Sequence, residues 1–187
     1  MTDPKETLSI ENVVASTSIN QELDLEELSE DLEGVSYDPD QFHGLVYRTR
    51  NPKSATLIFR SGKIVCTGIE SIDNVEKVVD FTFDLFSELG LDVPDEPEFT
   101  IQNIVTSGDL GQPLSLNTIA IGLGLENIEY EPEQFPGLVY RLSEPEVVIL
   151  LFGSGKLVIV GGEQPEDAEN AIETVQTQLV NLGLLNG

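Results

Sequence analysis

The sequence predicts an α+β fold made of two copies of one structural unit, and three features carry that prediction. A block recurs: residues 37–48 read YDPDQFHGLVYR and residues 130–141 read YEPEQFPGLVYR, an offset of 93. Each copy is followed by short apolar runs separated by turn residues, the mark of antiparallel hairpins. A longer amphipathic segment then closes the unit, with Val75, Val78, Val79, Phe83, Phe86 and Leu89 at helical spacing before Gly90. Hairpins with helices packed on one side of them make an α+β arrangement.

The repeat extends well beyond that block. The same offset of 93 pairs Pro52 with Pro145, Phe59 with Phe152, Ser61-Gly62-Lys63 with Ser154-Gly155-Lys156, and Gly68 with Gly161. Upstream, IENVVASTSI at 10–19 matches IQNIVTSGDL at 101–110 with an offset of 91. Two copies of about 85 residues are too long and too few for a solenoid, so the expectation is two half-domains related by a pseudo-twofold axis. The boundaries read as an N-terminal extension at 1–7, a first repeat at 8–91, the acidic linker DVPDEPE at 92–98 and a second repeat at 99–185.

Within the first unit the elements follow in order. Residues 8–19 form a β-branched run, and Leu23, Leu25, Leu28 and Leu32 among acids predict a short amphipathic helix. After the Tyr37-Asp38-Pro39 turn come strands at about 44–50, 54–60 and 63–68, broken at Asn51-Pro52 and Ser61-Gly62. Ser71 or Asp73 caps a helix that runs to about Leu89. Side chains alternate along a strand, so Ile64 and Cys66 share one face while Val65 and Thr67 share the other; Leu57 and Phe59 oppose Ile58. Both faces are apolar. Helices on one side cover only one of them, which leaves a surface in need of a partner. Burial of both faces within the protein is the other account.

Charge argues against a polyanionic partner until it is read by position. The 187 residues carry 34 acids against 9 bases, a net charge of −25, which repels nucleic acid at ordinary salt. Yet residues 42–68 hold Arg48, Arg50, Lys53, Arg60 and Lys63, with His43 as a possible sixth base, and no Asp or Glu. Residues 135–161 hold Arg141 and Lys156 against Glu144 and Glu146, so only Lys5 and Lys77 lie outside the strand blocks. The remaining acidity resembles adaptation to a salt-rich cytoplasm, where screening shortens to ~3 Å at 1 M.

Several function classes are disfavoured. The start MTDPKETLSI has no apolar signal stretch and no run is long enough to span a membrane, so the chain is expected to be soluble and cytoplasmic, with no membrane partner. The lone Cys66 permits no internal disulfide. GSGK at 153–156 lacks the phosphate-loop spacing, and the single histidine, His43, has a proline as its repeat mate. No Cys/His cluster suits a metal, so neither an enzyme nor a cofactor is expected. A small-molecule module with an apolar cavity under a curved sheet would account for two-sided strands, but not for a second copy in register.

The duplicated ENVV/QNIV, Y-x-P-x-x-F-x-G-L-V-Y-R and F-x-SGK motifs resemble those of the TATA-box-binding proteins over residues 8–185. The resemblance implies a saddle: a curved ten-stranded antiparallel sheet with four helices on its convex face, and DNA against the other face. It implies a general transcription initiation factor that binds the TATA box in the minor groove, bends the DNA, and recruits archaeal transcription factor B and, indirectly, RNA polymerase. Phe42 with Phe59, and Phe135 with Phe152, match the rings that the family wedges between base steps. Asn12 and Asn103 match its central asparagines, whose amides donate to the A N3 and T O2 acceptors of A·T pairs. Val14, Val65, Val105, Val158, Leu57 and Leu150 match apolar base-edge contacts that leave no acceptor for the guanine amino group. Thr67 keeps the family's threonine; its mate, Val160, does not, so the second half-site is expected to lack one hydrogen bond. Arg48 with Arg141, Lys63 with Lys156, and beside them Arg50 and Lys53, are the implied phosphate contacts. Glu131 and Glu133 match acidic positions used toward transcription factor B, though Gln134 stands where some relatives have an apolar residue. A homodimer of the unbound chain through its apolar face is left open.

Overall fold

The computed structural model describes residues 3–124 and 126–186. A 3-10 turn at Pro4–Thr7 precedes β1 (Ser9–Ser18), α1 (Leu25–Asp31), β2 (Val35–Ser36), β3 (Leu45–Arg50), β4 (Lys53–Ile58), β5 (Lys63–Ile69) and α2 (Ile72–Glu88). The second copy follows as β6 (Thr100–Asp109), α3 (Leu116–Leu123), β7 (Ile128–Glu129), β8 (Leu138–Ser143), β9 (Glu146–Leu151), β10 (Lys156–Gly161) and α4 (Pro165–Asn181). The chain divides into two compact units, Asn12–Gln102, and Met1–Glu11 with Asn103–Gly187. Strand order is β2-β3-β4-β5-β1 in the first repeat and β7-β8-β9-β10-β6 in the second.

Local chemistry explains where the elements begin and end. Asp24 caps α1 by accepting from the backbone N–H groups of Glu26 and Glu27, and the Ser71 hydroxyl accepts from Asn74 at the start of α2. The α2 helix closes on Gly90, at φ +89°, with the Leu91 N–H donating to the Phe86 carbonyl; only a residue without Cβ takes that left-handed turn freely. On α4, Pro165 stands in the first turn and the Asp167 carboxylate accepts from Glu163 and Gln164. β4 stops at Ile58, two residues short of the expected end. Phe59 instead opens the turn, accepting from Gly62 N–H while its own N–H donates to the Lys63 carbonyl.

The core lies between helices and sheet. In the unit spanning Asn12–Gln102, α2 buries Val75, Val78, Val79, Phe83 and Phe86, and the strands turn Ala15, Ile58, Ile64 and Cys66 inward. In the other unit α4 buries Ala168, Ala171, Ile172, Val175 and Leu179, and the strands supply Leu138, Ile149, Leu151, Leu157 and Ile159. The inward positions correspond: Thr56 opposite Cys66 has its counterpart in Ile149 opposite Ile159. Burial pushes the Cys66 thiol up to about 11, with the Thr56 hydroxyl acting the other way. Thr56 Oγ1 is nonetheless buried without a well-aligned partner.

Candidate nucleic-acid interface

Alternation leaves one strand face of each unit without helices. Across the first unit a row runs Val46, Leu57, Val65, Ser16, each opposite the next. Its counterpart in the second unit runs Val139, Leu150, Val158, Ser107. The next row is Arg48, Ala55, Thr67 in one and Arg141, Val148, Val160, Val105 in the other. The uncharged members of these rows are all partly exposed, as are Asn12, Val14 and Asn103, while their neighbours Ile58, Ile64, Ile149 and Ile159 are buried. Every base-edge residue named from the sequence therefore sits on the open face. That face is not sealed within the protein.

Two aromatic pairs stand beside these rows, one per unit. Phe42 and Phe59 have ring centroids 5.8 Å apart at 67°, and Phe135 and Phe152 are 5.9 Å apart at 69°. Such edge-to-face geometry suits the ring quadrupoles. Phe42 and Phe135 are 37% and 39% exposed, unusual for phenylalanine. Under each pair lies a buried glycine that sequence reasoning missed. A Cβ on Gly44 would stand 2.7 Å from Phe42 Cε2 and 2.9 Å from Phe59 Cε1; on Gly137 it would stand 2.6 Å from Phe135 Cε2 and 3.0 Å from Phe152 Cε1. The signal was available, since both copies of the duplicated block keep glycine at this position. His43 joins the first cluster, its ring 5.3 Å from Phe59, where the second copy has Pro136.

The polar groups of the face are not symmetric. Asn12 is anchored: its Oδ1 accepts from the Gly68 N–H at 2.7 Å, and the Thr67 hydroxyl lies between the two ends of the amide, 3.3 Å from Nδ2, from which it accepts, and 3.5 Å from Oδ1, to which it donates. Gly68, at φ +73°, supplies the irregular step between β1 and β5 that aims this N–H. Asn103, its mate in the second repeat, has no side-chain hydrogen bond among the described residues. A second pair of mates also differs. Ser107 Oγ donates to Glu11 Oε1 at 2.7 Å, whereas Gln102 Nε2 donates to Ser16 Oγ at 2.8 Å. One unit thus carries a carboxylate where the other carries a neutral amide.

The basic residues of the strand blocks are exposed, Arg48 and Arg141 within β3 and β8 and the others near strand ends or turns. Arg50 opposes Lys53 at the tip of the β3–β4 hairpin, Lys63 opens β5 opposite Ser18, and Lys156 opens β10 opposite Asp109. Arg141 lies 3.5 Å from Glu129, both largely exposed, a pair of little strength. Glu131 and Glu133 are exposed in the turn before Phe135, where the Glu131 carbonyl accepts from Gln134 and Phe135.

A duplicated α+β fold with a helix-free apolar strand face, flanked by bases, defines a class of binding protein that works through the open surface of its sheet. The family model described as "Transcription factor TFIID (or TATA-binding protein, TBP)" matches residues 7–89 and 98–182. TATA-box-binding protein 1 of Haloferax volcanii is 68% identical over 187 residues, covering 100% of this chain and 99% of that protein. TATA-box-binding protein E of Halobacterium salinarum is 67% identical over 186 residues, with both chains covered in full. The solved structure of Methanococcus jannaschii TBP superposes with a TM-score of 0.83 at 47% identity, covering 94% of this chain and 99% of that one. The chain belongs to the TATA-binding protein family, and the ten antiparallel strands and four α-helices of its described residues are that family's fold. Members of that family are DNA-binding transcription factors and not enzymes. Among the described residues, no helix is long and apolar enough to cross a membrane.

Proposed function

We propose that this chain is a transcription initiation factor that binds AT-rich promoter DNA in the minor groove, bends it, and presents it to transcription factor B and, through that factor, to RNA polymerase. One observation carries the reading: the residues that would meet base edges lie on the partly exposed face of the strands, while their alternating neighbours fill the core. An A·T pair offers only acceptors in the minor groove, and a floor of valines and leucines leaves the guanine amino group without a partner. Phe42, Phe59, Phe135 and Phe152 insert at base steps, where a flat ring replaces part of the stacking that is lost. Arg48, Arg50, Lys53, Lys63, Arg141 and Lys156 take phosphates, and Glu131 and Glu133 meet transcription factor B. The repeat boundaries at 8–91 and 99–185 divide the protein into its two DNA-contacting copies.

The small-molecule reading is not favoured, because the apolar face it would enclose is open. The groove beside α2, of about 780 Å³, is lined by Glu76, Asp80, Asp84, Asp95, Glu96 and Glu98, which suits no apolar ligand. Gel shifts in molar KCl, comparing an AT-rich with a GC-rich duplex, test the proposal. Preference for the AT-rich duplex, with binding and bending both reduced in Phe135→Ala, is expected; equal affinity for the two duplexes would overturn it.

A further inference from the structure

We infer that the surface formed by α3 and the end of α4 is a contact face at which two copies of this chain meet. The observation behind it is a loss of charge confined to one repeat. Residues 110–125 and 174–187 contain no Asp, Glu, Lys or Arg, whereas their repeat mates, 19–34 and 81–94, contain ten acids and no base. The two short helices start in register, Leu25 and Leu116 being 91 apart, so Ile121 stands where α1 carries Glu30, and Gly122 where it carries Asp31.

The fold brings the two charge-free runs together within one unit. A Cβ on Gly122 would lie 3.1 Å from Leu184 Cδ1 and 3.4 Å from Leu182 Cδ1, and Gln112 exchanges hydrogen bonds with the backbone of Asn186, 3.2 Å in each direction. Leu116, Ile119 and Leu185 go to the core, while Ile121 is left 83% exposed and Leu182 46%. At the same place in the first unit, Leu89 and Leu91 border a groove rimmed by Glu22, Asp24, Glu27 and Asp31. One copy of the surface is therefore wrapped in solvated carboxylates, and the other is bare apolar side chain.

Charge selects the occupant. A symmetric contact sets a patch against its own copy, so a patch of one sign repels itself and a neutral apolar patch does not. On a chain of net charge −25, a surface cleared of acids is where a second such chain can approach. A basic partner would be drawn instead to the acid-rimmed groove of the first unit. Two well-exposed apolar side chains per copy are too few for a permanent dimer, so the contact belongs with the small, transient interfaces. The open strand face takes no part in it.

Sedimentation equilibrium of the full chain in molar KCl, from micromolar to millimolar protein, tests this. The average mass should rise toward that of two chains and stop there. Ile121→Glu, which restores the charge found in α1, should weaken association roughly a hundredfold, because a change worth about tenfold enters a symmetric contact twice. Leu182→Gln should weaken it as well, and Glu30→Gln, on the first unit, should leave it nearly unchanged. Denaturant titration of each variant should match the wild type, since all three side chains are exposed. A chain that stays monomeric at the highest concentration overturns the inference and leaves the face to a different protein. A dimer that Ile121→Glu leaves intact, or a mass that climbs past two chains, overturns it too, and none of these outcomes bears on groove binding.

Discussion

Adding a methyl group at Gly137 separates the proposed wedge from the fold. A Cβ there would lie 2.6 Å from Phe135 Cε2 and 3.0 Å from Phe152 Cε1, whereas carbon atoms rest at ~3.5–4.0 Å, so the Phe135 ring has to retreat by about 1 Å. Gly137 does not occupy the left-handed region, so alanine imposes no backbone strain. Overpacking a closed core costs about 1–3 kcal/mol. Here the obstructing atom is the far end of a ring that is 39% exposed, and it moves outward, so the loss of stability should stay below about 1 kcal/mol by the same scale. On the proposed reading binding is different, because an opened base step costs a few kcal/mol that only a correctly placed ring would offset. Loss of about 1.4 kcal/mol of that offset weakens binding roughly tenfold. Energy transfer between dyes at the duplex ends reads bending, and denaturant titration reads stability. Gly153→Ala is the control, since its nearest contact would be the Leu114 carbonyl oxygen at 3.8 Å. Normal bending by a folded Gly137→Ala protein would refute the reasoning, as would a large loss of stability with binding intact.

Three further outcomes are expected. Thr56→Val should raise stability by about 1 kcal/mol, because it removes a buried hydroxyl without a well-aligned partner; a melting temperature higher by ~2–4 °C checks this, and the isoleucine at the equivalent Ile149 suggests the site accepts an apolar side chain. Glu11→Gln, which copies Gln102, removes a carboxylate held against Ser107; if that group keeps a cation when DNA binds, the slope of log affinity against log salt should become more negative by about 1, and an unchanged slope would deny it that role. The Cys66 thiol, raised from 9.0 to about 11 by burial, contributes stability that is complete below pH 9 and is lost as pH rises toward 11, since the unfolded chain ionises first. Denaturation midpoints across that range should fall less steeply in Cys66→Val.

Much of the open strand face was legible because side-chain direction in a strand has period two. Once Ile64 and Cys66 are given to the core, Val65 and Thr67 must face away, and β5 does this with its predicted ends nearly intact. The residues under the aromatic pairs escaped, since a glycine's role there depends on rings brought over it by a turn and by the end of another strand. β2 and β7 also escaped: two residues are too few to display any period.

Sequence alone determined the duplication, the order of elements and the family, because identity in register and hydrophobic periodicity are properties of the chain. It also placed Val160 opposite Thr67 in the repeat. Only the folded structure decided how the polar groups of the open face are held. Whether an amide is anchored depends on a backbone N–H, that of Gly68, delivered by an irregular step between two paired strands. Hydrogen bonds need positions fixed to a few tenths of an ångström, and residues 55 apart along the chain, as Asn12 and Thr67 are, acquire such positions only when the strands between them have packed.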